Sequence, residues 1–252
     1  MPAALAEAYK SKSQQARVVT EAWGREELYC AACDADSLKP APNNNAVFDY
    51  ECGNCGAPFQ LKGQSKKLGR TIGDGAYGSM IEAIRKDRTP NLFVMHYELP
   101  EWRVQNLILI PRFAFPESSI VCRKPLAITA RRAGWVGCNI DLSRIAADAR
   151  IPIVSAGIAE ELAEVRERYQ KLAPIADIKA NQRGWTLDVL NIVRRLGKVE
   201  FTNDDVYAYE RELERLHPDN RHVRPKIRQQ LQVLRDARLI RHNGVGSWRI
   251  AE

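Results

Sequence analysis

Residues 49–62 read Asp49-Tyr-Glu-Cys-Gly-Asn-Cys-Gly-Ala-Pro-Phe-Gln-Leu-Lys62. Two chemistries share this stretch. Cys52 and Cys55 form one thiol pair, and Asp49, Gln60 and Lys62 form the pattern Asp-x10-Gln-x-Lys. Gln60 and Lys62 are two residues apart, so on a strand both side chains leave the same face. A second pair, Cys30 and Cys33, lies upstream, with eighteen residues between Cys33 and Cys52. Paired knuckles at that separation fit a four-thiolate tetrahedral zinc site made of Cys30, Cys33, Cys52 and Cys55. Zinc that folds the loop also fixes the distance between Asp49 and Gln60. Cys122 and Cys138 stand alone and read as small buried hydrophobes.

Working outward, residues 6–27 read as an amphipathic helix with Ala8, Ala16, Val19 and Trp23 on one face. Glu21, late in that helix, could lean toward the metal site, but it reads first as an exposed helix glutamate. Residues 34–45 must be loop, since they include Lys39-Pro-Ala-Pro-Asn-Asn-Asn45. Residues 46–50 are a short strand candidate and Phe59–Lys62 the returning strand. Residues 63–69 form a basic, flexible connection, and a helix over roughly 75–87 follows. The apolar runs Asn91–Tyr97 and Val104–Pro111 read as strands buried on both faces. Residues 124–142 read as a basic loop around Arg131, Arg132 and Trp135, Ile151–Val154 as a last strand, and Ala159–Leu172 as a charged helix.

The hydrophobic pattern lapses at residues 173–183, which places a domain boundary between 1–180 and 181–252. The second part has the order of a winged helix. Trp185–Leu196 is its first helix and Val199–Phe201 a short strand. Thr202–Asp205 resembles a capping box with aspartate in place of glutamate and opens a second helix to about Leu216. Pro225 suits the first turn of a third helix, 225–237. Asn243-Gly-Val-Gly246 closes a hairpin, the wing. In the third helix Ile227, Leu231 and Leu234 share the core face, which turns Arg228, Gln229 and Gln232 outward. Arg and Gln are the side chains that meet guanine and adenine edges with two hydrogen bonds. Seven basic residues against one acid between Arg221 and Arg241, within a chain of net charge +7, agree with an anionic partner.

No run of about 18 apolar residues offers a membrane span. The first residues lack the basic-then-apolar layout of a secretory signal. A cytoplasmic protein is the expectation, and six cysteines in that compartment speak for metal rather than disulfides.

Asp-x10-Gln-x-Lys alone is a weak pattern. A nuclease needs a divalent cation to polarise the phosphate and to lower the pKa of a water. Mg2+ takes oxygen ligands, which the Asp49 carboxylate and the Gln60 amide could offer, with Lys62 beside the water or the phosphate. The wider sequence resembles the DpnI-type methyl-directed restriction endonucleases. The likeness covers nearly the whole chain. The four cysteines carry it, with Ile72-Gly-Asp-Gly-Ala-Tyr77, Lys124-Pro-Leu-Ala-Ile-Thr-Ala-Arg-Arg-Ala-Gly-Trp-Val-Gly-Cys-Asn-Ile-Asp-Leu-Ser143, Arg183-Gly-Trp-Thr186 and Lys226-Ile-Arg-Gln-Gln-Leu-Gln-Val-Leu-Arg-Asp236.

The resemblance implies an α/β chain with a PD-(D/E)xK restriction-endonuclease-like domain carrying structural Zn2+, joined to a C-terminal winged helix. It implies a monomer that cuts double-stranded DNA at GATC when adenine is N6-methylated, spares unmethylated sites and requires Mg2+. It makes Asp49, Gln60 and Lys62 the catalytic residues, with Asp49 and Gln60 on the magnesium. Arg131, Arg132, Trp135, Lys226, Arg228, Gln229 and Gln232 become the DNA contacts, Trp135 packing on methyladenine. One departure stands out: the family has glutamate where this chain has Gln60, which removes a negative charge from the metal site. A non-catalytic methyl-adenine reader or winged-helix regulator is the alternative, separated from an enzyme only by Asp49, Gln60 and Lys62. A zinc hydrolase fits poorly, because four thiolates leave no open coordination position.

Overall fold

The computed structural model of the chain describes residues 1–42 and 48–251. The expected strand over 46–50 lies partly outside the described residues, as does the end of the 34–45 loop. The described part is a short strand at Tyr50–Glu51. The chain divides into two compact units that interleave in sequence. One holds residues 1–69, 90–112 and 150–170, the other 70–89, 113–149 and 171–252. The expected division at 180/181 is therefore not where compactness divides the chain. Hydrogen bonds are the physical reason, since the segments 70–89 and 113–149 are paired with one another and tied to the helix that follows 180.

The first unit is built on a seven-stranded sheet. Its order is Lys39–Pro40, Tyr50–Glu51, Pro58–Gln64, Asn91–Glu98, Arg103–Ile110, Ile151–Ser155 and Ile158–Ala159. Only Pro58–Gln64 and Asn91–Glu98 run parallel; every other neighbouring pair is antiparallel. From Asn91 to Tyr97 every residue is buried, as the unbroken apolar run required. Arg103–Ile110 is buried mainly in its second half. The helix Lys12–Glu27 lies on the sheet. It begins later than the apolar pattern indicated, because Ala3–Ala8 form a separate 3-10 turn. Close approach sets its seat: a Cβ at Gly24 would overlap the Tyr50 hydroxyl, and one at Gly63 would lie 3.1 Å from the Thr20 methyl. Asn91 locks the central strand. Its amide donates to Pro58 O at 3.1 Å, and its Oδ1 accepts from Arg112 N–H and Tyr169 O–H, both at 3.0 Å.

In the second unit Thr71–Ala76, Gly137–Asp141 and Ile120–Cys122 form a three-stranded antiparallel sheet with Gly137–Asp141 central. Residues 124–142 are thus not loop throughout; Cys138, Ile140 and Asp141 are buried by strand pairing on both sides. Cys122, read as a buried hydrophobe, is exposed, because it ends an edge strand; Cys138 opposite is buried. The helix Tyr77–Arg85 follows the first strand. Asp87 at its end pairs with Arg183 at 2.6 Å, while the Arg183 guanidinium also donates to Ala176 O and Ile178 O.

Ala180–Arg195 begins before Trp185. The expected second helix is two pieces, Asn203–Tyr207 and Glu210–Leu216. The capping box is present: Asp205 N–H donates to Thr202 Oγ1 at 3.3 Å, and Thr202 N–H to Asp205 Oδ2 at 2.7 Å. Val223–Asp236 and a hairpin of Ile240–Gly244 with Ser247–Ile250 complete the module, and Glu200–Thr202 pairs on the hairpin's second strand. Asp188, nearly fully buried, accepts from Ser118 Oγ at 2.5 Å and is 2.8 Å from His217 Nε2, whose ring stacks on Trp185. No helix among the described residues is long and apolar enough to cross a membrane.

Candidate active site

Asp49 is placed by three main-chain partners. Its N–H donates to Phe59 O at 2.9 Å, and its carbonyl accepts from Ala41 N–H at 2.8 Å. Its Oδ2 accepts from Leu61 N–H at 2.8 Å. Leu61 lies between Gln60 and Lys62, so that one bond holds the carboxylate against the peptide joining the other two residues. Pro58–Gln64 is a strand, which gives Gln60 and Lys62 one face; they stand opposite Leu92 and Val94 of the parallel neighbour. All three residues are half-buried. The pattern read from spacing is therefore gathered in one place.

Burial pushes the Asp49 carboxyl above its ordinary range. The Leu61 N–H opposes that shift, the negative charge of Glu21 adds to it, and Lys62 and Arg17 draw it back down. Glu21 is not the freely exposed glutamate of the sequence reading. Its side chain is 34% exposed and paired with Arg17 at 2.7 Å. Its carbonyl accepts from the Tyr50 hydroxyl at 3.0 Å. Only the docking of the first helix on the sheet brings a residue that far along the chain to Asp49.

The four knuckle cysteines converge. Their Sγ atoms all lie within 4.8 Å of one another, with Cys30–Cys55 at 3.7 Å and Cys33–Cys52 at 3.5 Å. Thiolates about 2.3 Å from a tetrahedral zinc sit roughly 3.8 Å apart, so this group could hold the ion. The second knuckle turns through Gly56 in the left-handed region at φ 70°. Burial opposes ionisation of Cys52, but the N–H groups of Cys55 and Asn54 and its thiol neighbours bring it down to about 7.

A clamp on the first knuckle was not legible beforehand. Arg166, on the helix Leu162–Leu172, donates to Cys30 O at 3.2 Å and Ala35 O at 2.9 Å, and its guanidinium pairs with Asp36 at 3.1 Å. Gln170 donates to Ala32 O at 2.9 Å. A charged helix facing main-chain carbonyls leaves no periodic signal in sequence.

The candidate DNA contacts belong to the second unit. Arg131 and Arg132 are exposed. The Arg132 guanidinium lies 4.6 Å from the Trp135 ring centroid. Trp135 is half-buried with its six-membered ring so close to Gly137 that a Cβ there would lie 2.7 Å from it. In the helix Val223–Asp236, Ile227, Leu231 and Leu234 are fully buried, while Arg228, Gln229 and Gln232 are exposed. Arg228 donates to the Tyr207 hydroxyl at 2.9 Å, and Lys226 to Gln229 Oε1 at 2.8 Å. Gln230, which sequence reading passed over, is buried and accepts from Thr186 Oγ1 at 2.6 Å, joining the first and third helices of the module.

Comparison with known families agrees with this arrangement over almost the full length. Residues 1–177 match the model of the Dam-replacing family, DpnI, and residues 181–250 match the Dam-replacing HTH domain. With family models spanning both parts of the chain, the second of them a helix-turn-helix domain, the chain belongs to the DpnI, or Dam-replacing, family of methyl-directed restriction endonucleases.

Proposed function

We propose that the chain is a type II endonuclease that cuts double-stranded DNA at GATC sites carrying N6-methyladenine, by Mg2+-assisted phosphodiester hydrolysis. Residues 1–180 supply a PD-(D/E)xK nuclease domain and residues 181–252 a winged helix that reads DNA. The observation that carries the reading is the bond from Leu61 N–H to the Asp49 carboxylate, which sets a carboxylate beside the strand that carries an amide oxygen and an ammonium group. The donor set fits a hard cation: a carboxylate whose ionisation is penalised by burial and by Glu21 gains from a neighbouring positive ion. Asp49 and Gln60 would hold Mg2+, which supplies Lewis acidity and a more acidic water. Lys62 orients the attacking water or offsets charge on the phosphate. The cysteine cluster takes no part in the chemistry; with Zn2+ it braces the loop between Asp49 and Gln60.

Recognition rests on Arg131, Arg132 and Trp135 in one segment and on Lys226, Arg228, Gln229 and Gln232 in the other. The Trp135 ring offers apolar surface to a methyl group, and the Arg132 guanidinium above it turns to the backbone phosphate. The protein acts as a cytoplasmic monomer. The test is digestion of one plasmid, methylated or unmethylated at GATC adenines, with and without Mg2+. Cutting only of the methylated form, only with Mg2+, is the expected result. Binding to methylated DNA without cutting means a non-catalytic reader; cutting of both forms removes the methyl dependence.

A further inference from the structure

The segment 123–136 joins Ile120–Cys122 to Gly137–Asp141, and it is firmly hydrogen-bonded. Arg123 N–H donates to Gly137 O at 2.9 Å, Leu126 N–H to Trp135 O at 2.9 Å, and Gly134 N–H to Leu126 O at 3.1 Å. The two sides of the loop thus stay paired beyond the sheet. Ala130 N–H donates to Ala127 O at 2.9 Å and closes the tip. Ile128 lies inside that closing turn and is 92% exposed; Leu126, at its base, is 37% exposed. The segment holds Arg123, Lys124, Arg131 and Arg132 and no acidic residue. A lone surface isoleucine calls for no explanation. One fixed at the tip of a purely cationic, hydrogen-bonded projection presents an apolar point within a phosphate-attracting field.

We propose that Ile128 is a specificity-determining contact, seated against methyl groups in the major groove of adenine-methylated duplex DNA while the surrounding basic side chains hold phosphates. The proposal rests on the methyl-dependent reading above and names a residue that reading leaves out. A methylated A·T pair shows two methyl groups in the major groove, the thymine C5-methyl and the adenine N6-methyl. A branched aliphatic side chain gains by taking both away from water. Trp135 in the same segment is capped by Arg132 and lies against Gly137, whereas Ile128 meets nothing that must move first. The basic side chains of the loop alone would hold any duplex equally, because phosphate contacts carry no sequence information.

The experiment measures binding of the full chain, without added Mg2+, to two short duplexes that differ only in N6-methylation of the GATC adenines. Ile128→Ser should bind the methylated duplex about tenfold more weakly, the loss expected from one to two methyl contacts. Its affinity for the unmethylated duplex, which offers only the thymine methyl, should fall less, by about threefold. Ile128→Val, which keeps an apolar tip, should stay within about twofold of the unaltered chain on both. If Ile128→Ser weakens both duplexes alike, or neither, the proposal is overturned while the methyl preference of the unaltered chain stands. If the unaltered chain itself shows no preference, the parent reading falls and takes this one with it.

Discussion

The cysteine-braced segment 30–62 and the basic segment 123–136 are both connections rich in small and polar residues, yet the structure holds them in opposite ways. In its described residues the first is tied to other parts of the chain: four thiols converge, Arg166 and Gln170 grip its carbonyls, and Leu61 N–H fixes the Asp49 carboxylate. The second is held mainly by main-chain bonds across its own base and tip, with Tyr77 N–H donating to Val136 O at 3.1 Å, and its basic side chains and Ile128 face water. A site that performs chemistry must arrive with its groups already aimed, since a misplacement of about 1 Å costs on the order of a hundredfold in rate. A surface that meets a polyanion needs charge and reach, and the duplex completes its order.

That contrast is open to attack. The largest effect should come from Cys52→Ser. Losing one thiolate should empty a four-thiolate zinc site, which costs folding energy on the order of 10 kcal/mol. Residues 30–62 should become protease-sensitive and the metal content should fall from about one zinc per chain to none. Retained zinc and cutting in that variant would show that the braced segment needs no brace. Next, Lys62→Ala should lower cutting of methylated plasmid by about 10²–10³, the usual loss on removing one group that stabilises developing charge. Binding measured without Mg2+ should be preserved. A matching loss of binding would make Lys62 a DNA anchor rather than a catalytic group.

Arg166→Ala should destabilise the first knuckle by about 2 kcal/mol, since it deletes a partly buried charged donor shared between two carbonyls. The readout is faster zinc loss to a chelator, with DNA affinity unmoved. Arg228→Ala should do the reverse, weakening DNA binding by about 1–2 kcal/mol at unchanged thermal stability. A fall in melting temperature for Arg228→Ala, or in affinity for Arg166→Ala, would erase the distinction between the two regions.

The smallest effect concerns pH. Asp49 must be ionised to hold a cation, and a carboxyl held above its ordinary range remains protonated over more of the acid range. Glu21→Gln removes one of the causes that raise it, so the acid limb of the cutting rate should move to lower pH. Arg17→Ala removes an opposing positive charge and should move it to higher pH. Cutting profiles that coincide for all three proteins would place Asp49 outside the metal site.

The sequence by itself determined what depends on short, periodic relations. The four-cysteine spacing forecast a convergent cluster because zinc ligands come in near-local pairs. The alternation in Pro58–Gln64 put Gln60 and Lys62 on one face, and the heptad-like spacing of Ile227, Leu231 and Leu234 turned Arg228, Gln229 and Gln232 to solvent. The capping box at Thr202 was legible with aspartate in the glutamate place, since either carboxylate reaches back to the N-cap N–H. Tertiary structure alone decided the contacts between residues far apart along the chain. Glu21 reached Asp49 through the docking of a helix on a sheet, and Arg166 reached the Cys30 carbonyl across more than a hundred residues of chain. Gly137–Asp141 became a strand only because it acquired a partner on each edge. A hydrogen bond between distant groups needs two chemistries that meet in space, and one-dimensional periodicity carries no record of where a fold brings the chain back on itself.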